Sequence, residues 1–201
     1  MLKIAVLVSG RGTNLQALLD AEKSGDLRSG KIALVVSSKE GAFALSRARG
    51  SGIQTAVLAK GRDESPPQYG QRLISLLHSN HIDLIVLAGF LLILDPCVIH
   101  AYKDRILNVH PSLIPAFCGR GYYGLKVHAA ALERGVKVTG ATVHLVNEIP
   151  DGGRILAQKT VEVLEGDTPE ILQSRVMEQA EWVLLPAETE KLACKFIWEV
   201  L

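Results

Sequence analysis

Short apolar segments without alternation, each followed by a helical pattern, constrain the fold of this chain most. The first runs from Ile4 to Val8 and precedes the turn Ser9 to Asn14, after which leucines recur at helical spacing. Wholly apolar strands are typical of strands buried on both faces, as in a parallel sheet that is covered by helices. Alternation of such strands with helices predicts an α/β fold with a doubly wound, mostly parallel sheet.

The alternation of strand and helix holds over the first half of the chain and then changes. Val138 to Val146 alternates in polarity, and Arg154 to Val163 follows the turn Asp151-Gly152-Gly153, which predicts an antiparallel strand pair beside the sheet. Thr168 and Pro169 suit the N-cap and first residue of a final helix. Further strands are predicted at Ile32 to Val36, Thr55 to Leu58, Asp83 to Ala88 and Arg105 to Val109, helices at Phe43 to Arg49, Pro66 to His78 and Cys97 to Tyr102, and the buried face of the final helix at Ile171, Leu172, Val176 and Leu184.

Composition excludes several classes of protein. The 201 residues are 48% hydrophobic, which suffices for one well-cored domain. The apolar runs fall short of the ~20 residues that cross a bilayer, so we expect no membrane partner, no secretory leader and a cytoplasmic location. With 22 Lys and Arg against 21 Asp and Glu, the chain lacks the positive charge with which proteins bind nucleic acid. Its three widely spaced cysteines support neither a disulfide framework nor a metal site.

The glycine turn after the first strand is a candidate anion site. Backbone N–H groups and the positive end of a helix dipole converge at such a turn, and Ser9, Thr13 and Asn14 would add side-chain donors. Leu15 stands where a dinucleotide fingerprint has its third glycine, and no acidic residue follows the second predicted strand. A nucleotide monophosphate or a sugar phosphate therefore fits better than NAD. The alternative is a tight turn in which Asn14 caps the helix.

Asn108 and His110 leave the same face of a predicted strand at its carboxyl end. In open α/β sheets, ligands bind beyond that end. The asparagine amide is an uncharged donor and the histidine exchanges a proton near neutral pH, so the pair could stabilise and protonate an oxyanion formed at a carbonyl. The alternative is a strand-end asparagine beside a surface histidine. His128 and His144 are interpreted as structural.

Asp151 belongs to an Asp-Gly-Gly sequence between two predicted strands. It is either part of a simple turn or a carboxylate that holds His110 in one tautomer. The sequence leaves both alternatives open, because spacing along the chain does not establish that these two side chains meet.

Four motifs taken together resemble those of the glycinamide ribonucleotide formyltransferases. They are the segments Ser9 to Gln16, Leu87 to Phe90, Asn108 to Pro115, and Thr142 to Val146 followed by Asp-Gly-Gly. The resemblance implies one Rossmann-like formyltransferase domain over residues 1–201, with a nucleotide-binding half at 1–110 and a folate-site half at 111–201. It also implies transfer of the formyl group of 10-formyltetrahydrofolate to the amine of glycinamide ribonucleotide, in de novo purine biosynthesis.

The resemblance gives roles to particular residues. It implies that the catalytic residues are Asn108, His110 and Asp151, and that the phosphate-binding residues are Gly12, Thr13 and Asn14. The region shared by nucleotide and pterin comprises Gly89, Leu91, Leu92, Ile93 and Leu94. Glu181 matches an acid that contacts the amine side of the nucleotide. The formyl donor is a co-substrate, and the implied chemistry needs no metal.

The chain departs from the family pattern at several binding positions. Leu92 replaces a usual arginine, Pro66 aligns with another, and Trp182 replaces a histidine. Residues 118–128 resemble a Gly-Tyr-Tyr-Gly variant that occurs in one branch of the family. We expect these differences to affect binding more than chemistry.

The implied mechanism is direct transfer within one ternary complex. The uncharged amine attacks the formyl carbon and gives a tetrahedral intermediate. Asn108 and His110 would stabilise its oxyanion, while His110, Asp151 or an ordered water carries the protons.

The sequence favours two related enzymes less, and it leaves a non-catalytic function open. A methionyl-tRNA formyltransferase is expected to carry a further basic domain, and a formyltetrahydrofolate deformylase an N-terminal regulatory region. A non-catalytic nucleotide or folate sensor would keep only the pocket. The oligomeric state is not predicted, and a homodimer is among the alternatives.

Overall fold

A computed structural model describes residues 1–200 of the chain, with a single sheet and helices on both of its faces. The strands are β1 (Leu2–Val8), β2 (Gly30–Ser37), β3 (Gln54–Val57), β4 (Leu84–Leu87), β5 (Ile106–His110), β6 (Val138–Leu145) and β7 (Ile155–Glu162). The helices are α1 (Thr13–Ser24), α2 (Phe43–Gly50), α3 (Pro66–Ser79), α4 (Pro96–Ala101), α5 (Leu125–Arg134), α6 (Pro169–Val176) and α7 (Trp182–Val200), with a π-helical turn at Met177–Glu181. None of the helices in this described range is long and apolar enough to span a membrane.

The sheet has the order β3-β2-β1-β4-β5-β6-β7. The strands from β1 to β5 pair in parallel, and β6 is antiparallel to both β5 and β7. The predicted doubly wound, mostly parallel sheet with an antiparallel C-terminal strand pair is therefore confirmed. The strand order reverses between β1 and β4, so the connections that follow these two strands diverge and leave a crevice at their carboxyl ends.

Burial on both faces explains the unbroken apolar strands. In β1, Ile4 and Val6 belong to the cluster that packs beneath α1 and α7, whereas Ala5 and Leu7 belong to the cluster beneath α3 and α4. All four side chains are fully buried. A central strand of this kind has no solvent-facing side, so polar and apolar residues do not alternate along it.

Helix α5 has no counterpart among the predicted elements. Its buried residues are Val127, His128 and Ala131, so it lacks the leucine stripe that marks α1 and α3. Glycine-rich sequence precedes it, and its N-cap residue, Gly124, has a φ of 54°. The helix packs against the neighbouring α6.

The predicted final helix is divided into α6, the π-helical turn and α7. Thr168 caps α6 as predicted, since its side chain accepts from the N–H of Ile171 at 3.3 Å. Leu172 and Val176 are fully buried, and Leu184 packs against the core. Ile171 was predicted on the buried face but is 50% exposed, because the helix turns its first residues toward solvent.

His128 is fully buried in α5, and neither ring nitrogen has a hydrogen-bond partner within residues 1–200. Burial lowers its pKa from 6.5 to about 4, because desolvation penalises the charged ring, and the nearby His110 adds to this effect. The ring is therefore neutral inside the folded protein at neutral pH.

The stability of the protein should consequently fall in acid. Between pH 6.5 and about 4, His128 is protonated in the unfolded chain but remains neutral in the folded chain. The expected loss across this interval is about 3 kcal/mol. We expect His128→Gln to remove most of this pH dependence in urea unfolding at stepped pH, whereas His78→Gln, a change at an exposed histidine, should leave it unchanged. Equal pH dependence in both variants would contradict the prediction.

Candidate active site

The glycine turn joins β1 to α1 at the crevice between β1 and β4. Gly12 is the N-cap residue of α1 with a φ of 74°, and a Cβ at this position would lie 2.6 Å from the Cβ of Ala44. A glycine is therefore required for both its conformation and its size. No side chain caps α1, so Asn14 does not serve as a helix cap. The N–H groups of the first turn are left for an anion.

The two polar residues after Gly12 contact the π-helical turn. Asn14 Nδ2 donates to Glu181 Oε2 at 2.6 Å, and Thr13 Oγ1 lies 3.7 Å from the sulfur of Met177. Burial raises the pKa of Glu181 to about 7, although the hydrogen bond from Asn14 partly opposes this rise. Glu181 therefore exchanges between its neutral and charged forms near neutral pH, beside the candidate phosphate loop.

The segment after β4 lies against the same turn. Gly89 has a φ of 73°, and the N–H of Leu91 donates to Ser9 Oγ at 2.9 Å. Leu91 and Ile93 are half exposed or more, whereas Leu94 is buried. The segment thus presents apolar side chains to solvent at the crevice, which is the kind of surface that an aromatic ring system covers.

Asn108, His110 and Asp151 meet at the carboxyl end of β5. Asn108 Nδ2 donates to Asp151 Oδ1 at 3.3 Å, and His110 Nδ1 lies 3.5 Å from Asp151 Oδ2. The Asp-Gly-Gly turn can fold back this far because Gly153 passes under Leu145, where a Cβ would lie 1.7 Å from the carbonyl oxygen. The side chains whose contact the sequence left open are therefore neighbours.

His144 joins this group, although the sequence indicated only a structural role. It lies directly opposite Asn108 in the pairing of β5 with β6. Its Nδ1–H donates to the carbonyl of Leu145 at 2.9 Å, so Nε2 is free to accept from Asn108 Nδ2 at 3.1 Å. Only knowledge of the strand register could have revealed this pair.

The His110 ring is held in one tautomer. Its Nε2 lies 2.8 Å from the carbonyl oxygen of Phe117, which can only accept, so this nitrogen carries the proton. Burial lowers the pKa of His110 below its ordinary value of 6.5, although the charge of Asp151 opposes this. The ring is neutral at neutral pH, and its unprotonated Nδ1 faces Asp151.

Asp151 stays charged despite its burial. Desolvation raises its pKa, but His144, His110 and the N–H of Gly119, which donates at 2.8 Å, together lower the pKa below 3.8. The contact with His110 is therefore that of a carboxylate with a neutral imidazole, and it becomes an ion pair only when the ring takes up a proton.

The arrangement suits acid–base chemistry at a carbonyl carbon. It combines an amide donor, an imidazole nitrogen that can accept a proton and a carboxylate that stabilises the protonated ring. Both amide hydrogens of Asn108 are occupied, by His144 and Asp151, so a ligand oxygen must replace the longer bond, to Asp151. Within residues 1–200, no group of three or more His, Cys, Asp or Glu side chains is placed to hold a metal ion.

Several known proteins are similar to this chain in sequence and in fold. The family model described as formyl transferase matches residues 2–187. The phosphoribosylglycinamide formyltransferase of Escherichia coli (strain K12) is 40% identical over 178 residues, which are 89% of this chain and 81% of that protein. The chloroplastic phosphoribosylglycinamide formyltransferase of Vigna unguiculata is 37% identical over 98% of this chain.

The chain spans about three fifths of the length of two plant relatives, 62% of the Vigna unguiculata protein and 61% of that of Arabidopsis thaliana. Among solved structures, glycinamide ribonucleotide transformylase 1 from Symbiobacterium toebii superposes with a TM-score of 0.91 at 38% identity. The superposition covers 97% of this chain and 89% of that one.

Proposed function

The chain belongs to the formyl transferase family, and we propose that it transfers the formyl group of 10-formyltetrahydrofolate to the amine of glycinamide ribonucleotide in purine biosynthesis. The names of the relatives support formyl transfer to glycinamide ribonucleotide, whereas the folate donor is part of the proposal. The observation that carries the proposal is the meeting of Asn108, His110 and Asp151 beside a glycine turn whose helix is uncapped. A cytoplasmic location remains a prediction.

The nucleotide would bind across the contact between the glycine turn and the π-helical turn. N–H groups after Gly12, with Thr13 and Asn14, suit its phosphate. Glu181 lies at hydrogen-bond distance from Asn14 and would contact the ribose or amine side. The proposed halves, 1–110 and 111–201, would therefore both contribute to the nucleotide site.

The folate would lie against the segment from Gly89 to Leu94. Exposed Leu91 and Ile93 fit a flat aromatic pterin, and the hydrogen bond between Leu91 N–H and Ser9 places this segment against the phosphate loop. When bound, the folate supplies an activated formyl carbon. Leucine at position 92 offers no charged contact, so recognition there would rest on the backbone.

Asn108 would stabilise the oxyanion that forms when the amine attacks the formyl carbon. Its amide gives up the 3.3 Å bond to Asp151 and keeps the 3.1 Å bond to His144, which fixes its orientation. Because one bond already fixes the orientation of the amide, exchange of the other bond for the oxyanion needs little reorganisation.

His110 and Asp151 would move the protons. The neutral ring can accept a proton from the attacking amine at Nδ1, and Asp151 stabilises the imidazolium that results. The same nitrogen can then protonate the leaving folate nitrogen. Because burial keeps the resting ring neutral, it is ready to act as a base at neutral pH.

An absorbance assay tests the proposal. The protein is incubated with 10-formyltetrahydrofolate, and the folate spectrum is followed with and without glycinamide ribonucleotide. We expect loss of the formyl donor only when the nucleotide is present, with formation of the formylated nucleotide. Loss without nucleotide would instead indicate a hydrolase, and no loss in either case would indicate a sensor.

A further inference from the structure

A single backbone turn, residues 112–119, makes hydrogen bonds to both His110 and Asp151. The carbonyl oxygen of Phe117 accepts from His110 Nε2, and the N–H of Gly119 donates to Asp151 Oδ2, each at 2.8 Å. Phe117 has a φ of 49°, in the left-handed region that side chains other than glycine rarely adopt. Contacts elsewhere must therefore keep this residue, and with it both catalytic side chains, in place.

Ser112 supplies the first of these contacts. Its side chain is fully buried, and Oγ donates to the carbonyl of Ala116 at 2.5 Å. The same oxygen lies 3.5 Å from the carbonyl oxygen of Phe117. The hydroxyl thus links the start of the turn to the carbonyls of Ala116 and Phe117 near its end. The Phe117 carbonyl is the one that accepts from His110.

Gln158 supplies the second contact from β7, the edge strand. Its Nε2 donates to the carbonyl of Ile114 and to Thr142 Oγ1, both at 3.0 Å. Thr142 Oγ1 also accepts from the N–H of Ile114 at 3.1 Å and donates to the carbonyl of Ser112 at 2.7 Å. Gln158 therefore links the turn to β6 and β7 through hydrogen bonds.

We propose that Ser112 and Gln158 are positioning residues for formyl transfer, because they hold the Phe117 carbonyl where it keeps a proton on His110 Nε2. With that proton fixed, Nδ1 is the ring nitrogen left to exchange a proton, and it faces Asp151. Neither residue needs to touch the substrates for this role. The inference rests on the proposed function, since it assigns roles within that reaction.

Nitrogen NMR of the imidazole rings tests the positioning without any substrate. At about pH 8, above the ordinary pKa of histidine, we expect the His110 ring of the parent protein to carry its proton on Nε2 alone. In Ser112→Ala and Gln158→Glu we expect a mixture of both tautomers. Gln158→Glu keeps the shape of the side chain but removes its donor, and it provides a second test should Ser112→Ala fail to fold. Tautomers unchanged in a folded variant, or a parent ring protonated on Nδ1, would overturn the proposal.

Kinetics test whether this positioning matters for the reaction. We expect each variant to lower kcat by about 10- to 100-fold, with KM for the nucleotide within about twofold, since small misplacements of catalytic groups cost rates of this size. The acid limb of the kcat profile should also move to higher pH, because water reaching the ring relieves the desolvation that lowers the His110 pKa.

Two further variants separate positioning from structural support. Ser112→Thr retains the hydroxyl and should recover most of kcat, and Lys159→Gln changes an exposed neighbour on β7 and should behave as the parent. A rate loss that is uniform across pH and follows the loss of stability would assign these residues a structural role only and overturn the proposal. A parent protein that transfers no formyl group would overturn the proposed function, while the NMR result would stand by itself.

Discussion

Replacement of His110 with alanine is expected to lower kcat/KM for formyl transfer by about 10²- to 10⁴-fold. The ring is buried, neutral at neutral pH, and fixed so that Nδ1 faces Asp151 at 3.5 Å. Its removal would take away the group that we propose to accept and return a proton at the reacting atoms. Initial rates from the folate absorbance assay, measured at saturating and at low nucleotide, would give kcat and kcat/KM separately.

Controls for this substitution must account for the cavity that alanine leaves. His110→Gln fills most of the volume without supplying a group that titrates near neutral pH, and we expect a loss of similar size. His78→Ala, at an exposed histidine of α3, should retain full activity. Near-normal turnover in His110→Ala with an intact fold would remove the imidazole from the mechanism.

Asp151→Asn should lower kcat by about 10²- to 10³-fold while nucleotide binding is nearly unchanged. Asparagine keeps the size of the side chain and can still accept from the N–H of Gly119, but it loses the negative charge that stabilises a protonated His110. That charge raises the His110 pKa against the effect of burial. Its removal should therefore move the acid limb of the kcat profile to lower pH, opposite to the shift expected for Ser112→Ala.

Asp104→Asn is a matched control for this variant. Asp104 is exposed and has a φ of 59°, close to the 55° of Asp151, so the same chemical change is made in the same backbone conformation. We expect it to leave both kcat and the pH profile unchanged. Calorimetric titration with the nucleotide would measure binding. A nucleotide affinity that falls as steeply as kcat in Asp151→Asn would assign the carboxylate to substrate binding rather than to proton transfer.

The parallel strands were predictable because their sequence signal is local. A strand such as β1 is buried on both faces, and the unbroken apolar run records this directly. Helix α5 was missed because its buried face consists of Val127, His128 and Ala131 and carries no run of leucines like those of α1 and α3. The limits of β7 were predicted within one residue, because the Asp-Gly-Gly turn marks the break between the two strands of the antiparallel pair.

The candidate site was predictable in its residue types but not in its geometry. Asn108 and His110 share one strand, so their common face followed from their spacing. The approach of Asp151 depends on a turn that passes under Leu145, and the role of His144 depends on its register opposite Asn108. Contacts between distant segments of this kind are set by packing of the whole sheet, and no local pattern encodes them.

The bond between Asn14 and Glu181 joins residues that are 167 positions apart in the chain. During synthesis, the glycine turn leaves the ribosome well before its partner, because 167 positions separate the two residues. Affinity for the nucleotide would therefore arise late, after α6 and the π-helical turn have docked, so a nascent chain would be unable to sequester substrate. Ligand capture would in this way report that these two distant segments have docked.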